Sequence, residues 1–164
     1  MAFNTLGLSE KVLAAVEAAG YKEPTAIQSG AIPQVLERRD ILGIAQTGTG
    51  KTASFTLPML TLLEKGRARA RMPRTLILEP TRELAAQVEE NFAKYGTNHK
   101  LNVALLIGGV SFSDQDKKLE SMLETMAGEN GNGISVMQPG DYDLPGDSPS
   151  KHKVDDIDIL RDEL

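Results

Sequence analysis

Residues 41–52 read ILGIAQTGTGKT, and this stretch decides the fold. The apolar run over 41–45 is typical of a short buried strand, and the glycine-rich turn after it leads into a helix that opens at Lys51. A phosphate group needs converging backbone N–H donors, a nearby cation and the N-terminus of a helix. The glycines let the backbone curl, Lys51 supplies the cation, and Thr52 supplies a hydroxyl for Mg²⁺. The pattern therefore predicts a phosphate-binding loop, although Ala45 stands where the general signature has glycine.

Helical and strand patterns alternate on both sides of this loop. Helices are predicted where apolar residues recur every three or four positions behind a capping residue, and strands where short apolar runs end at turn residues. The predicted helices cover about residues 9–20, 25–37, 51–66, 81–96 and 113–128, and the predicted buried strands cover about 41–45, 75–80 and 101–107. Strands that alternate with helices indicate a parallel α/β fold.

The net charge of −5 is divided unevenly along the chain. Residues 121–164 contain three basic and ten acidic groups, whereas residues 1–120 carry a balance of +2. Residues 129–164 are also rich in Gly, Pro, Ser and Asp, and such a segment buries too little surface to offset its ordering entropy. We therefore expect a domain over 1–120, followed over 121–164 by a helix end and a disordered acidic tail.

Composition excludes several classes of protein. The chain has no cysteine, so neither a disulfide framework nor a thiolate metal site is available. No apolar run approaches the ~18 residues of a membrane span. The first residues, MAFNTLGLSEKV, lack the basic and apolar regions of a signal peptide. We expect a cytoplasmic protein with no membrane partner, and the oligomeric state stays open.

Four elements give the sequence a family resemblance. Residues 20–28, GYKEPTAIQ, resemble the Q motif of the DEAD-box ATP-dependent RNA helicases, with Phe3 as the isolated upstream aromatic. AQTGTGKT at 45–52 is similar to the family's form of the phosphate loop, alanine included. PTRELA at 80–85 resembles motif Ia, and Gly108-Gly109 resembles the GG element. The resemblance covers about residues 1–120 and implies a partial RecA-like domain, with parallel strands and flanking helices, from the N-terminal half of such a helicase.

The resemblance implies ATP and Mg²⁺ as cofactors, with Thr52 as a metal ligand. It also implies that Gln28 reads the adenine edge while Tyr21 or Phe3 packs on the ring, because an amide suits a donor–acceptor edge. Alternatively, Gln28 closes a capping box by bonding back to the Thr25 N–H. The nucleotide contacts of the loop are expected from Gln46, Thr47, Gly48, Thr49, Gly50, Lys51 and Thr52.

The expected macromolecular partner is RNA, held weakly through its sugar-phosphate backbone. The resemblance assigns this contact to Pro80, Thr81 and Arg82 and to Gly108 and Gly109. Hydroxyl, guanidinium and backbone N–H groups are suitable donors to phosphates. In the alternative interpretation, Thr81 only caps a helix and Arg82 is only a solvated residue.

Several family motifs are not clearly present after residue 119: TPGR, DEAD, Ser-Ala-Thr and the whole second domain. ISVMQPG at 134–140 faintly resembles the TPGR strand, and DDID at 155–158 faintly resembles DEAD. Because the DEAD carboxylates hold Mg²⁺ and position the attacking water, we assign no catalytic residue. The resemblance also implies that the DEAD and Ser-Ala-Thr strands separate the loop strand from the motif Ia strand. The strands present must therefore re-pair or stay partly molten.

Three functions remain open at this point. The leading interpretation is an ATP-binding fragment of a DEAD-box RNA helicase that neither hydrolyses ATP nor unwinds RNA by itself. The second is an RNA-stimulated ATPase that uses the tail carboxylates Asp155, Asp156 and Asp158. The third is a non-enzymatic interaction protein or an unproductive truncated product.

Overall fold

A computed structural model of the chain describes residues 2–65, 74–108, 113, 115, 117, 119–120, 133–137 and 157–161. The chain divides into two compact units, one formed by residues 1–64 with 146–164 and the other by residues 65–145. None of the described helices is both long and apolar enough to cross a membrane.

The described residues of the first unit form three α-helices and two strands. A short 3₁₀ turn, Phe3–Thr5, precedes helices α1 (Glu10–Ala18), α2 (Ala26–Leu36) and α3 (Lys51–Leu63). Strand β1 (Asp40–Ile44) joins α2 to the loop before α3, and it pairs in parallel with β5 (Ile157–Arg161). The core lies mainly between α2 and α3, with α1 against α3. Its most buried side chains include Val12, Val16, Ile27, Ile32, Leu57 and Leu60.

The second unit contains a three-stranded parallel sheet. Strands β2 (Thr75–Leu78) and β3 (Asn102–Leu106) flank β4 (Gly133–Met137), so the order is β2-β4-β3. Helix α4 (Arg82–Tyr95) packs against β3 and β4. The buried side chains of this unit include Ile77, Ala85, Val88, Phe92, Tyr95, Ala104 and Leu106.

Local capping explains where two helices begin. The Ser9 hydroxyl accepts a hydrogen bond from the Val12 N–H at 3.3 Å, which satisfies one of the free donors at the start of α1. At α2, the Thr25 N–H donates to Gln28 Oε1 at 3.0 Å, within a complete capping box. Both caps connect residues three positions apart, which is why the sequence pattern alone predicts them.

The prediction of a disordered segment over 129–164 is wrong for residues 133–137 and 157–161, which form β4 and β5. The average composition of the segment concealed two short runs, GISVM and IDILR. Each run adds to strands that are already ordered, so its backbone donors and acceptors find partners that offset the ordering entropy. The remaining residues after 120 lie outside the described part of the chain.

The expectation that β1 and β2 are buried strands is also wrong. Leu42 is 48% exposed on β1, and Leu76 and Leu78 are 48% and 54% exposed on β2. A parallel strand is buried on both faces only where helices cover both. One face of β1 lies against α2, because a Cβ atom added at Gly43 would meet Ile27 at 3.4 Å. Since side chains alternate along a strand, Leu42 points to the opposite face.

The family resemblance implied that other strands separate the loop strand, β1, from the motif Ia strand, β2, and the strand pairing bears on this expectation. Among the described residues, β1 pairs only with β5, whereas β2 lies in the separate sheet with β4 and β3. Among the described strands, β1 and β2 are therefore not hydrogen-bonded to each other. The α/β content that the alternating pattern predicts is present in both units.

Candidate functional site

The loop after β1 has the backbone shape that its glycines allow. Gly48 and Gly50 have φ angles of 82° and 83°, in the left-handed region that other residues rarely adopt. The Thr49 hydroxyl donates to the Gln46 carbonyl oxygen at 2.8 Å, which tightens the turn. Helix α3 begins directly after Gly50, so the positive end of its dipole opens onto the loop. This combination can bind an anion.

Lys51 folds its side chain across the loop. The Nζ ammonium donates a hydrogen bond to the carbonyl oxygen of Ala45, the first residue of the loop. The next residue, Thr52, lies in the first turn of α3, and its hydroxyl makes no hydrogen bond within the described part of the chain. A cation and a free hydroxyl thus stand together at the helix N-terminus.

Gln28 connects the loop to α2. Its side chain is only 6% exposed, and besides closing the capping box it donates from Nε2 to the Gly50 carbonyl oxygen at 3.2 Å. A Cβ atom added at Gly50 would collide with that amide nitrogen. The contact joins residues 22 positions apart, and sequence reasoning did not predict it.

The two aromatic candidates for adenine packing differ in exposure. Phe3 is 6% exposed and belongs to the core together with Leu6 and Leu8. Tyr21, in the turn after α1, is 48% exposed. Tyr21 is therefore the candidate whose ring is accessible.

The second unit carries the residues that resemble motif Ia. Pro80, Thr81 and Arg82 are all exposed. The Thr81 hydroxyl accepts from the Leu84 N–H at 3.3 Å, so Thr81 is the N-cap of α4.

Glu79 directly precedes Pro80 in the chain. Burial raises the pKa of the Glu79 carboxyl above its ordinary value because the charged form loses solvation.

Sheet register relates these residues to the GG pair. Leu78 ends β2 and Leu106 ends β3, and both are in register with Met137 of the central strand. Two strand spacings separate them, roughly 10 Å. The segment 79–82 and Gly108 therefore leave the sheet at the same edge. Gly109 lies outside the described residues.

A buried glutamine, Gln115, holds the residue that precedes Gly108. Sequence reasoning missed it. Gln115 accepts from the Ile107 N–H at 2.9 Å and donates to the Ile107 carbonyl oxygen at 3.0 Å. Its only sequence signal was a polar residue eight positions after a predicted strand end, which is too weak to single it out.

Comparison with known proteins identifies the family. The model of the DEAD/DEAH box helicase family matches residues 25–145. The chain belongs to this family. It is 40% identical over 143 residues to the ATP-dependent RNA helicase DeaD of Mycobacterium tuberculosis H37Rv, covering 87% of the chain and 25% of that protein. It is 38% identical over 142 residues to the ATP-dependent RNA helicase SrmB of Escherichia coli K12, covering 86% and 32% respectively.

A solved structure supports the same assignment. The DEAD-box protein of the hyperthermophile Methanococcus jannaschii superposes with a TM-score of 0.71 and 36% identity, over 85% of this chain and 35% of that one. The chain thus spans about a quarter to a third of the length of these three relatives. The match is consistent with the RecA-like α/β fold that the motifs implied.

Within the faint DEAD resemblance at residues 155–158, the strand register bears on Asp158 alone. Asp158 lies within β5 and is in register with Ile41, three residues before β1 ends at Ile44. In open α/β sheets, ligands bind beyond the carboxyl ends of the strands, so Asp158 lies about 10 Å too early. Asp155 and Asp156 fall outside the described residues.

Proposed function

We propose that the chain is the ATP-contacting portion of a DEAD-box RNA helicase domain, which binds adenine nucleotides through residues 46–52. The observation that carries this proposal is the loop itself, with two left-handed glycines, the Lys51 ammonium and the α3 N-terminus together. A nucleotide phosphate would take the ammonium from the Ala45 carbonyl, which is a weaker partner than an oxyanion.

Adenine selectivity in this proposal comes from Gln28. A primary amide has two N–H protons and two acceptor lone pairs, and the contacts to Thr25 and Gly50 use one of each. One donor and one acceptor remain for the edge of the base, so capping and base recognition are compatible. The exposed ring of Tyr21 is suited to pack on adenine, whereas Phe3 supports this region from the core.

Mg²⁺ fits the same loop. The Thr52 hydroxyl is free among the described residues and stands in the first turn of the helix that faces the phosphates. Bound there with the nucleotide, the ion would neutralise phosphate charge. The hard oxygen donor at Thr52 is of the type that Mg²⁺ prefers.

RNA binding is proposed for Pro80, Thr81 and Arg82 with Gly108 and Gly109. Support comes from the shared sheet edge and from the exposure of residues 80–82. Capping α4 uses only an acceptor lone pair of the Thr81 hydroxyl, so its O–H remains able to donate to a phosphate. These are backbone contacts, so we expect weak, salt-sensitive binding without sequence preference.

We propose that the chain binds ATP and RNA but neither hydrolyses ATP at a family-like rate nor unwinds RNA by itself. We also propose that the protein is cytoplasmic. Hydrolysis needs carboxylates for the metal and the water and an arginine at the transferring phosphoryl group. Unwinding needs two domains that close across one RNA.

One observation favours a second candidate, a functional ATPase. Strand β5 runs parallel to β1, and its last residue, Arg161, is in register with Ile44, the residue before the loop. Asp162 and Glu163 follow Arg161 directly in the sequence. By sequence position alone, Asp162 and Glu163 come after the carboxyl end of β5, beyond which ligands bind in open α/β sheets, whereas Asp158 comes before it.

Nucleotide titration tests the leading proposal. A fluorescent ADP analogue should bind wild type and the control Lys11→Ala, an exposed lysine on α1, with equal affinity. Lys51→Ala should bind at least about tenfold more weakly, because a charge-assisted phosphate contact is lost. Equal affinity in all three proteins would refute the proposal.

Phosphate release separates the two candidates. The leading proposal predicts no release above background, with or without single-stranded RNA. RNA-stimulated release that disappears in Asp162→Asn and persists in Asp158→Asn would establish the ATPase instead.

A further inference from the structure

Gln115 holds both backbone groups of one residue. Its side-chain oxygen accepts from the Ile107 N–H at 2.9 Å, and its nitrogen donates to the Ile107 carbonyl oxygen at 3.0 Å. The side chain is 7% exposed, so these hydrogen bonds compete little with water. The amide therefore pairs with the backbone as a neighbouring strand would.

The position of this clamp is specific. The ladder between β3 and β4 has its last pair at Leu106 and Met137, so Ile107 is the first residue beyond the paired strand. The next residue is Gly108. A glycine after a strand end has wide backbone freedom unless its neighbour is fixed. Gln115 restricts that freedom at the residue from which Gly108 leaves the sheet.

A backbone N–H binds phosphate well only when its direction is set beforehand. Ordering a loose segment on binding costs free energy that is subtracted from the affinity. Gly108 follows β3 at the same sheet edge at which the exposed residues 80–82 follow β2, and the ends of these two strands are about 10 Å apart. A single RNA strand of a few nucleotides is longer than the separation between these two strand ends. One strand can therefore contact both places.

We infer that Gln115 is a positioning residue for RNA, which holds Ile107 so that the Gly108 backbone is preset to contact a phosphate. It acts through Ile107 and does not touch RNA itself. This inference rests on the proposed RNA binding at the sheet edge.

The test compares two substitutions that change charge identically. Gln115→Glu keeps the acceptor for the Ile107 N–H but sets a carboxylate against the Ile107 carbonyl. Gln87→Glu is the matched control, because Gln87 is exposed on α4. Binding of a fluorescein-labelled ten-nucleotide oligouridine is measured by anisotropy at several salt concentrations.

We expect Gln115→Glu to weaken RNA binding about tenfold at every salt concentration with little change in the slope of log affinity against log salt, because the lost backbone N–H contact removes no cation and releases no counterion. Gln87→Glu should change affinity less than about twofold and leave the slope unchanged. A purely stabilising role for Gln115 would lower the melting temperature but leave RNA affinity, measured well below that temperature, equal to that of Gln87→Glu. Equal affinities and slopes for the two variants would overturn the inference, whereas a wild type that does not bind RNA would instead overturn the proposed function.

A second measurement applies if Gln115→Glu fails to fold. In wild type, NMR should show that RNA shifts the Gly108 amide resonance while the Gln115 carboxamide protons stay protected from exchange. An unshifted Gly108 amide, or loss of that protection when RNA binds, would contradict the inference.

Discussion

The side-chain amide of Gln28 donates a hydrogen bond to the carbonyl oxygen of Gly50, with 3.2 Å between nitrogen and oxygen. The same side chain accepts from the Thr25 N–H, so one residue caps α2 and supports the last residue of the loop. Because Gly50 immediately precedes α3, this hydrogen bond couples the residue proposed to read the base to the backbone proposed to bind phosphate.

Replacing Gln28 with methionine should therefore affect stability and selectivity together. The substitution leaves the Thr25 N–H without its partner, whereas the Gly50 carbonyl oxygen keeps the hydrogen bond from the Ser54 N–H at 3.1 Å. We expect a loss of roughly 1–3 kcal/mol in the free energy of unfolding for one unsatisfied donor. The ratio of ATP to GTP affinity should fall towards one. Urea denaturation and competition titration measure the two effects, with exposed Gln87→Met as control. A Gln28→Met protein that still discriminates the bases would assign recognition elsewhere.

Gly50→Ala should abolish nucleotide binding. The φ angle of 83° is unfavourable for alanine, and its Cβ atom would collide with the Gln28 amide. Gly48→Ala has the same backbone strain at φ 82° but open space around the added atom. We expect Gly48→Ala to lose about 1–2 kcal/mol of stability and Gly50→Ala to lose more. Comparable melting temperatures for the two variants would show that the collision is relieved.

Arg38→Gly should stabilise the protein. Arg38 follows the end of α2 with a φ of 63°, and the Arg39 N–H bonds back to the Gln34 carbonyl in the manner of a glycine-terminated helix. Glycine removes a strain of about 1–2 kcal/mol but adds about 0.5–1 kcal/mol of unfolded-state entropy. The expected gain is about 0.5–1 kcal/mol in chemical denaturation. Arg39→Gly, which lacks a positive φ, should destabilise, and a gain there as well would rule out this cause.

Ser135→Pro tests whether β4 is the central strand of its sheet. Ser135 is in register with Leu76 on one side and Ala104 on the other, and proline removes a donor from the middle of the ladder. We expect a loss of about 3 kcal/mol or more, or failure to fold. Ser150→Pro, outside the described residues, serves as the control. An unchanged melting temperature for Ser135→Pro would mean that residues 133–137 contribute little to the fold.

Glu79→Gln should raise stability at neutral pH. The folded-state pKa of Glu79 is raised by burial, so the group favours folding at low pH and that contribution is lost as the pH rises through the folded-state pKa. The glutamine variant should therefore melt higher than wild type at pH 7, and the difference should vanish below the ordinary glutamate pKa. Thermal melts at several pH values measure this. Glu83→Gln, on the exposed first turn of α4, should show no such gain at pH 7.

Local features of the fold were determined by the sequence alone. The caps at Ser9, Thr25 and Thr81 and the left-handed glycines of the loop depend on residues at most a few positions apart. Backbone geometry within one turn is set by short-range sterics and hydrogen bonds, which a pattern of residue types encodes directly. The order of the four motifs predicted the DEAD-box family on the same local basis, and the family model confirms it.

Only the tertiary structure decided which surfaces and partners these elements have. Leu42 and Leu78 look like core residues in their runs, yet they are exposed because no described helix covers those faces. GISVM looked like tail, yet it forms the central strand because β2 and β3 present complementary edges. The links from Gln28 to Gly50 and from Gln115 to Ile107 likewise join separate elements. Burial and long-range hydrogen bonding depend on what the rest of the chain brings alongside a segment, and its own residue types do not encode that.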